Sequence, residues 1–202
     1  MITRRSLVTA TAGAGAALPL GIGLSACGSP RPASVYTADA RTFALAAAVE
    51  NQLTDIYGAM LAALRAQKAD PPAPAFTQFL ITASAHHAEH AKSWNSLLRA
   101  AHKPEITGVP LAGHAALKDQ VAGQTTAAAL ARLAGQLELQ AARTHLAALS
   151  NLTDTPGISA AAGIAPIEAM HAAVVDCIMG GRPAPDDFLA LGGALRVSEL
   201  LA

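Results

Sequence analysis

Four long stretches of this chain repeat apolar residues every third or fourth position, and each breaks that apolar row with glutamate or histidine near its middle. The first, from about 38 to 66, runs Phe43, Ala47, Glu50, Leu53, Tyr57, Met60 and Leu64. The second, about 75 to 101, runs Phe76, Leu80, Ala83, His87, His90, Trp94 and Leu97. The third, 125 to about 152, carries Leu130, Leu133, Leu137, Glu138, Ala141, His145 and Ala148. The fourth, about 158 to 179, carries Ile164, Glu168, His171, Val175 and Ile178. This period is that of an amphipathic helix. Burying an unpaired charge costs several kcal/mol, so acids and imidazoles on all four seams must be paired or must bind something between them.

Composition supports helices throughout. Aromatic residues are only 3% of the chain, alanine is abundant and β-branched residues are scattered, which favours helices packed closely through small side chains: an all-α fold. With 202 residues, 52% of them hydrophobic, the chain can bury one core, and its length argues for one domain. Lys+Arg 14 balance Asp+Glu 14, which excludes an electrostatic nucleic-acid binder. Two cysteines, Cys27 and Cys177, cannot form the disulfide framework of a small secreted scaffold.

Punctuation sets the connectivity. Asp70-Pro71-Pro72 ends the first helix and Lys103-Pro104 the second, while Gly180-Gly181 stops the fourth with residues able to turn left-handed. Residues 104–124, holding Pro104, Gly108, Pro110 and Gly113, read as a long crossing segment with a helical turn near Leu117. Residues 183–202 form a tail with one short helix, Ala194 to Leu200, packing back on the body. Two tight hairpins joined by a long crossover between helices two and three are therefore expected, the competing architecture being a simple up-down bundle with a disordered middle loop. Pro166 removes one backbone hydrogen bond and is expected to kink the fourth helix.

The first 26 residues have a charged front at Arg4-Arg5, a short Gly/Ala-rich apolar middle broken by Pro19, and small residues before Cys27. That is a targeting segment rather than a membrane span. Arg4-Arg5-Ser6-Leu7-Val8 resembles a twin-arginine export signal. Leu24-Ser25-Ala26-Cys27 resembles a bacterial lipobox, which implies acylation of Cys27, cleavage before it and a membrane anchor on the extracytoplasmic face of the cell membrane. Each buried acyl methylene contributes about 0.8 kcal/mol of membrane affinity. Residues 27–37 then form a lipidated, flexible tether, and residues 38–182 the folded domain.

Three residues turn a helix by about 300° and rise about 4.5 Å, so His87/His90 and Glu168/His171 each project as neighbours from one face. Antiparallel hairpins bring mid-helix residues to one level, where three carboxylates and three imidazoles require a compensating cation or a proton network. A metal site is the economical solution. The order of one Glu, a second helix with paired ligands, one Glu, then Glu-x-x-His resembles the ferritin-like family of di-metal carboxylate proteins. Glu168-Ala-Met-His171 matches in full, and Glu50 and Glu138 supply the single glutamates. The second helix departs from the pattern: His86-His87-Ala88-Glu89-His90 has His87 where the family has a bridging glutamate, and Glu89 lies too far around the helix to replace it.

The resemblance implies a ferritin-like four-helix bundle in which Glu50 and His90 serve one metal, Glu138 and His171 the other, and Glu168 lies between. His87 is then expected to give one nitrogen to one metal, with the loss of a bridge. More nitrogen and less oxygen moves preference from Mg, Ca and Mn toward the transition metals Fe, Zn or Cu, with either one ion or two in the bundle core. Ferroxidase or related oxidoreductase chemistry is implied if iron fills two sites; the alternative is a metal-free structural or interaction lipoprotein keeping the fold. Oligomeric state is left open, with a dimer among the options. Among the remaining residues, His86 is expected beside the seam, His145 as an interior histidine about 10 Å along the axis from Glu138, and Tyr57 as core packing. His102 and His114 are expected to be exposed, and Cys177 to be a small buried hydrophobe.

Overall fold

Alanine and leucine carry the helices, and side chains at the helix ends fix where they begin. The computed structural model describes residues 35–66, 74–181 and 192–202. The export segment, Cys27, most of the 27–37 tether, Asp70-Pro71-Pro72 and Pro183 lie outside the described residues. The described chain forms α1 (Asp39–Ala66), α2 (Pro74–Ala100), α3 (His114–Ala122), α4 (Ala127–Asn151) and α5 (Thr155–Ile178), followed by a 3-10 turn, Val197–Glu199. No strand is among the described residues; the fold is an all-helical bundle.

Local chemistry explains the boundaries. Thr126 caps α4 by accepting from the Ala129 N–H at 3.2 Å, and Asp154 caps α5 by accepting from Gly157 N–H at 2.8 Å. Asp39 Oδ2 accepts from the Thr153 and Asp154 N–H groups, at 2.9 and 2.7 Å, and so ties the start of α1 to the α4–α5 turn. Gly180, at φ +79, ends α5 in the left-handed region that a glycine enters freely. Pro166 lies on the exposed side of α5, which continues through it.

Ring contacts give the helix directions. Phe43 near the start of α1 stacks on Trp94 near the end of α2 at 6.0 Å, and Tyr57, later in α1, meets Phe79, earlier in α2, at 6.1 Å; the pair is antiparallel. Likewise Glu50 and Tyr57 of α1 meet His145 and Glu138 of α4, and Phe79 and His90 of α2 meet His171 and Glu168 of α5. Both pairs are again antiparallel. Fully buried alanines on several helices, among them Ala44, Ala47, Ala134, Ala142 and Ala161, let the backbones approach closely. Trp94, Tyr57 and Phe76 fill the wider layers, each removing roughly 150–250 Å² from water, worth about 4–6 kcal/mol as an upper bound.

The segment between α2 and α4 is pinned by two asparagines. Asn95 accepts from Ile106 N–H at 2.8 Å and donates to the Ile106 carbonyl at 2.9 Å, while Asn51 donates to the carbonyls of Ile106 and Gly108. It contains the nine-residue helix α3 rather than one turn near Leu117. In the tail, Leu111 pairs with Leu200, and Leu201 N–H donates to the Pro110 carbonyl at 2.7 Å. That backbone pairing holds the tail extended on either side of Val197–Glu199, so the helix expected from Ala194 to Leu200 shortens to a single turn. His114 is held at 3.1 Å from Asp55 and is largely covered rather than exposed. Cys177 is exposed, not buried: six residues past His171 it points about 240° away from the buried face.

Candidate metal centre

Each long helix delivers its ionisable residues from a seam that is otherwise apolar. Glu50 follows Ala46, Ala47 and Val49; His87 and His90 lie between Ala83 and Trp94; Glu138 follows Leu137; Glu168 and His171 lie between Ile164 and Val175. The side chains of Glu50, His87, Glu138 and Glu168 are 0% exposed, against 11% for His90 and 5% for His171.

The structure brings all six together in two overlapping groups. Glu50, His87, His90 and Glu168 present ligand atoms within 4.8 Å of one another, and so do His87, Glu138, Glu168 and His171. Glu50 and His90 belong to the first group alone, Glu138 and His171 to the second alone. Glu168 belongs to both, with Oε1 at 2.8 Å from His90 Nδ1 and Oε2 at 3.5 Å from His171 Nδ1. His87 also belongs to both. Its Nδ1 lies 2.8 Å from Glu50 Oε2 and its Nε2 3.2 Å from Glu138 Oε1, each in hydrogen-bonding geometry. Opposite edges of the ring thus face different carboxylates.

Electrostatics follow from this packing. Burial alone would raise Glu50, but His145, His87 and His90 outweigh it and hold its carboxyl well below the usual range. Burial would likewise raise Glu138, yet His171 and His87 bring it down to about 2. Burial disfavours imidazolium at His90 and His171, while Glu168 with Glu50, and Glu138 with Glu168, lift both to about 9. His87 is raised well above its ordinary value against the same penalty, by Glu138 and Glu50. In this packing each carboxylate favours imidazolium beside it and each imidazole favours carboxylate.

Several of these close approaches are ion pairs that lack hydrogen-bond geometry. Glu138 Oε2, Glu168 Oε1 and Oε2, Glu50 Oε1, His90 Nδ1 and His171 Nδ1 are all buried and make no hydrogen bond. Such orphans are expensive in a dry interior unless something else satisfies them. These oxygens and imidazole nitrogens approach one another without aligning, which is the arrangement of donors converging on a shared ion. Two nitrogen and two oxygen residues per group suit Fe, Zn or Cu better than Mg or Ca. The residues fit a metal pair.

Three neighbours enlarge the cluster. Tyr57 O–H donates to Glu138 Oε1, so Tyr57 is a partner of the site as well as packing. Burial, then the Glu138 charge, pushes the Tyr57 phenol well above its ordinary pKa and keeps it a donor. His145 was expected far along the axis, but its Nε2 lies 2.6 Å from Glu50 Oε1, without hydrogen-bond alignment, and its ring stacks on Trp94 at 5.6 Å. Measured from Glu138 alone the separation is one of height; Glu50 closes it by reaching from the antiparallel α1. The available signal was that His145 shares the buried row of Glu138. His86 is exposed, yet its Nδ1 lies 3.0 Å from His171 Nε2, so it can fix the ring whose Nδ1 faces the carboxylates. Glu89 is solvated and pairs with Lys92 at 2.6 Å.

Comparison with known proteins places this geometry. The sequence model of the ferritin-like domain matches residues 38–181, which include all six residues of the two groups. No curated protein and no solved structure matches the chain. A match across most of the chain, ending just beyond the helix that carries Glu168 and His171, establishes that the chain belongs to the ferritin-like domain family.

Proposed function

We propose that this chain is an exported, lipid-anchored ferritin-like protein whose four long helices, α1, α2, α4 and α5, form a four-helix bundle holding two transition-metal ions. In this reading residues 101–126 are the crossover, residues 1–26 a twin-arginine lipoprotein signal removed at Cys27, and residues 27–37 the tether. Arg4-Arg5 and Leu24-Ser25-Ala26-Cys27 support the export and anchoring part. One observation supports the metal part: buried Glu and His atoms from four helices, several of them without a hydrogen bond, converge in two groups sharing Glu168 and His87.

Glu50 with His90 and Glu138 with His171 would hold the two ions, and Glu168 would span them. Iron in both positions would supply ferroxidase-type electron transfer. The chain's own part is to exclude water through the apolar layers above and below, to keep the Tyr57 O–H on Glu138, and to orient His171 through His86. Elemental analysis of the full chain, purified from its membrane, tests the reading: at least one equivalent of Fe, Zn or Cu is expected. Less than about a tenth of an equivalent, with a melting temperature unmoved by any of the three, refutes it.

A second reading is favoured by the His87 hydrogen bonds to both Glu50 and Glu138. There the imidazolium itself is the buried cation, and the protein is a metal-free structural or interaction lipoprotein. The same elemental analysis separates the two.

A further inference from the structure

His87 occupies the position where the family pattern carries a fourth glutamate, and its surroundings differ on its two edges. On one edge Nδ1 faces Glu50 Oε2 at 2.8 Å and Glu168 Oε2 at 3.5 Å; on the other Nε2 faces Glu138 Oε1 at 3.2 Å. The lone pairs of the two ring nitrogens point outward in diverging directions in the ring plane, so they cannot converge on one ion. The side chain is 0% exposed, and Tyr57 meets the ring edge at 5.4 Å, so packing limits its rotation. The ring stands between the two ligand groups and belongs to both.

We propose that His87 joins the two metal ions as a bridging imidazolate, Nδ1 to the ion held with Glu50 and His90, and Nε2 to the ion held with Glu138 and His171. The proposal rests on the two-metal reading above. Charge supports it: Glu50, Glu138 and Glu168 supply three negative charges, and two divalent ions bring four positive ones. A neutral His87 would leave one net positive charge among three fully buried carboxylates, which is costly. An imidazolate cancels it, as a fourth carboxylate would. On loading, each N–H proton of His87 leaves to solvent as a nitrogen–metal bond forms in its place, and no group changes oxidation state. Nearby divalent ions favour the deprotonated ligand, as they do at thiols and bound water.

The test uses the full chain stripped with a chelator and reloaded with Cu(II) alone. Two Cu(II) ions across one imidazolate couple antiferromagnetically. The first copper should therefore give a full-intensity EPR signal, and the second should lower the integrated low-temperature signal per copper more than twofold while chemical analysis counts two ions. His87→Gln, which leaves Glu168 as the one shared residue, should weaken the coupling and raise the signal per bound copper, and His87→Glu, which puts back a carboxylate, should bind two ions with a different coupling. Two coppers with undiminished signal in the wild type, or unchanged coupling in His87→Gln, overturn the bridge and leave the two-metal reading standing. Saturation at one copper also overturns the bridge. Failure to bind Fe, Zn or Cu at all overturns the underlying reading. The stepwise titration needs no variant, so the proposal stays falsifiable even if both substitutions prevent folding.

Discussion

Glu168→Gln tests the two-group geometry most directly, because Glu168 is the one carboxylate belonging to both groups. The substitution keeps size and shape but removes the charge and replaces one oxygen with an NH2 that cannot ligate. It should weaken both sites, whereas Glu50→Gln should weaken one and Glu138→Gln the other. The size follows from linkage: a metal at a hundredfold excess over its Kd adds about 2.7 kcal/mol per site to the folded state. For a domain of this length 1 kcal/mol moves Tm by roughly 2–4 °C, so two filled sites should raise it by roughly 10–20 °C and one by about half that. Melting is followed by circular dichroism at a fixed free Zn(II) concentration, with and without chelator. The wild type should show the full rise, Glu50→Gln and Glu138→Gln about half, and Glu168→Gln almost none. If Glu168→Gln keeps the full rise, the metal does not sit where these two groups meet.

Three further outcomes are expected. In chelator the metal-free protein should lose stability as pH rises from about 6.5 to 9, because His90 and His171 are raised to about 9 and their contribution is complete only below the unfolded value. It should also lose stability as pH falls from about 4.5 toward 2, where Glu138 protonates; a Tm that climbs between pH 6.5 and 9 contradicts the proton-balanced cluster. Tyr57→Phe removes the O–H donated to buried Glu138, and denaturant titration should show a loss of about 1.5–3 kcal/mol; no loss would mean Glu138 is satisfied without it. Gly157→Ala would place a Cβ 2.5 Å from Phe43, whose ring stacks on Trp94, and should cost about 1–3 kcal/mol; an unchanged Tm would show the Phe43 layer yields freely.

Helix positions and the convergence of the six seam residues were legible because a single period governs both: a residue three or four places from Leu80 or Ile164 faces inward whatever its chemistry. What escaped was whatever depends on the relative height of two helices. His145 looked remote because its distance was measured along its own helix, while Glu50 on the antiparallel neighbour spans the gap. Both nitrogens of His87 are engaged for the same reason: ring orientation is set by Glu50 and Glu138 on different helices, which no spacing within α2 encodes. Cys177 shows the opposite failure, since its small apolar character suggested burial while its rotation from His171 pointed to water. The pairing of Leu111 with Leu200 joins backbone segments far apart in sequence and leaves no periodic trace.

Of the six clustered side chains, the two that solvent reaches at all are His90 and His171, on α2 and α5; the other four are sealed. The α2–α5 seam, with His86 against His171, is thus where the cluster lies nearest to solvent. If an ion is held there, its capture and release would depend on how often those two helices part, and a bulky chelator should strip the protein more slowly than a small one.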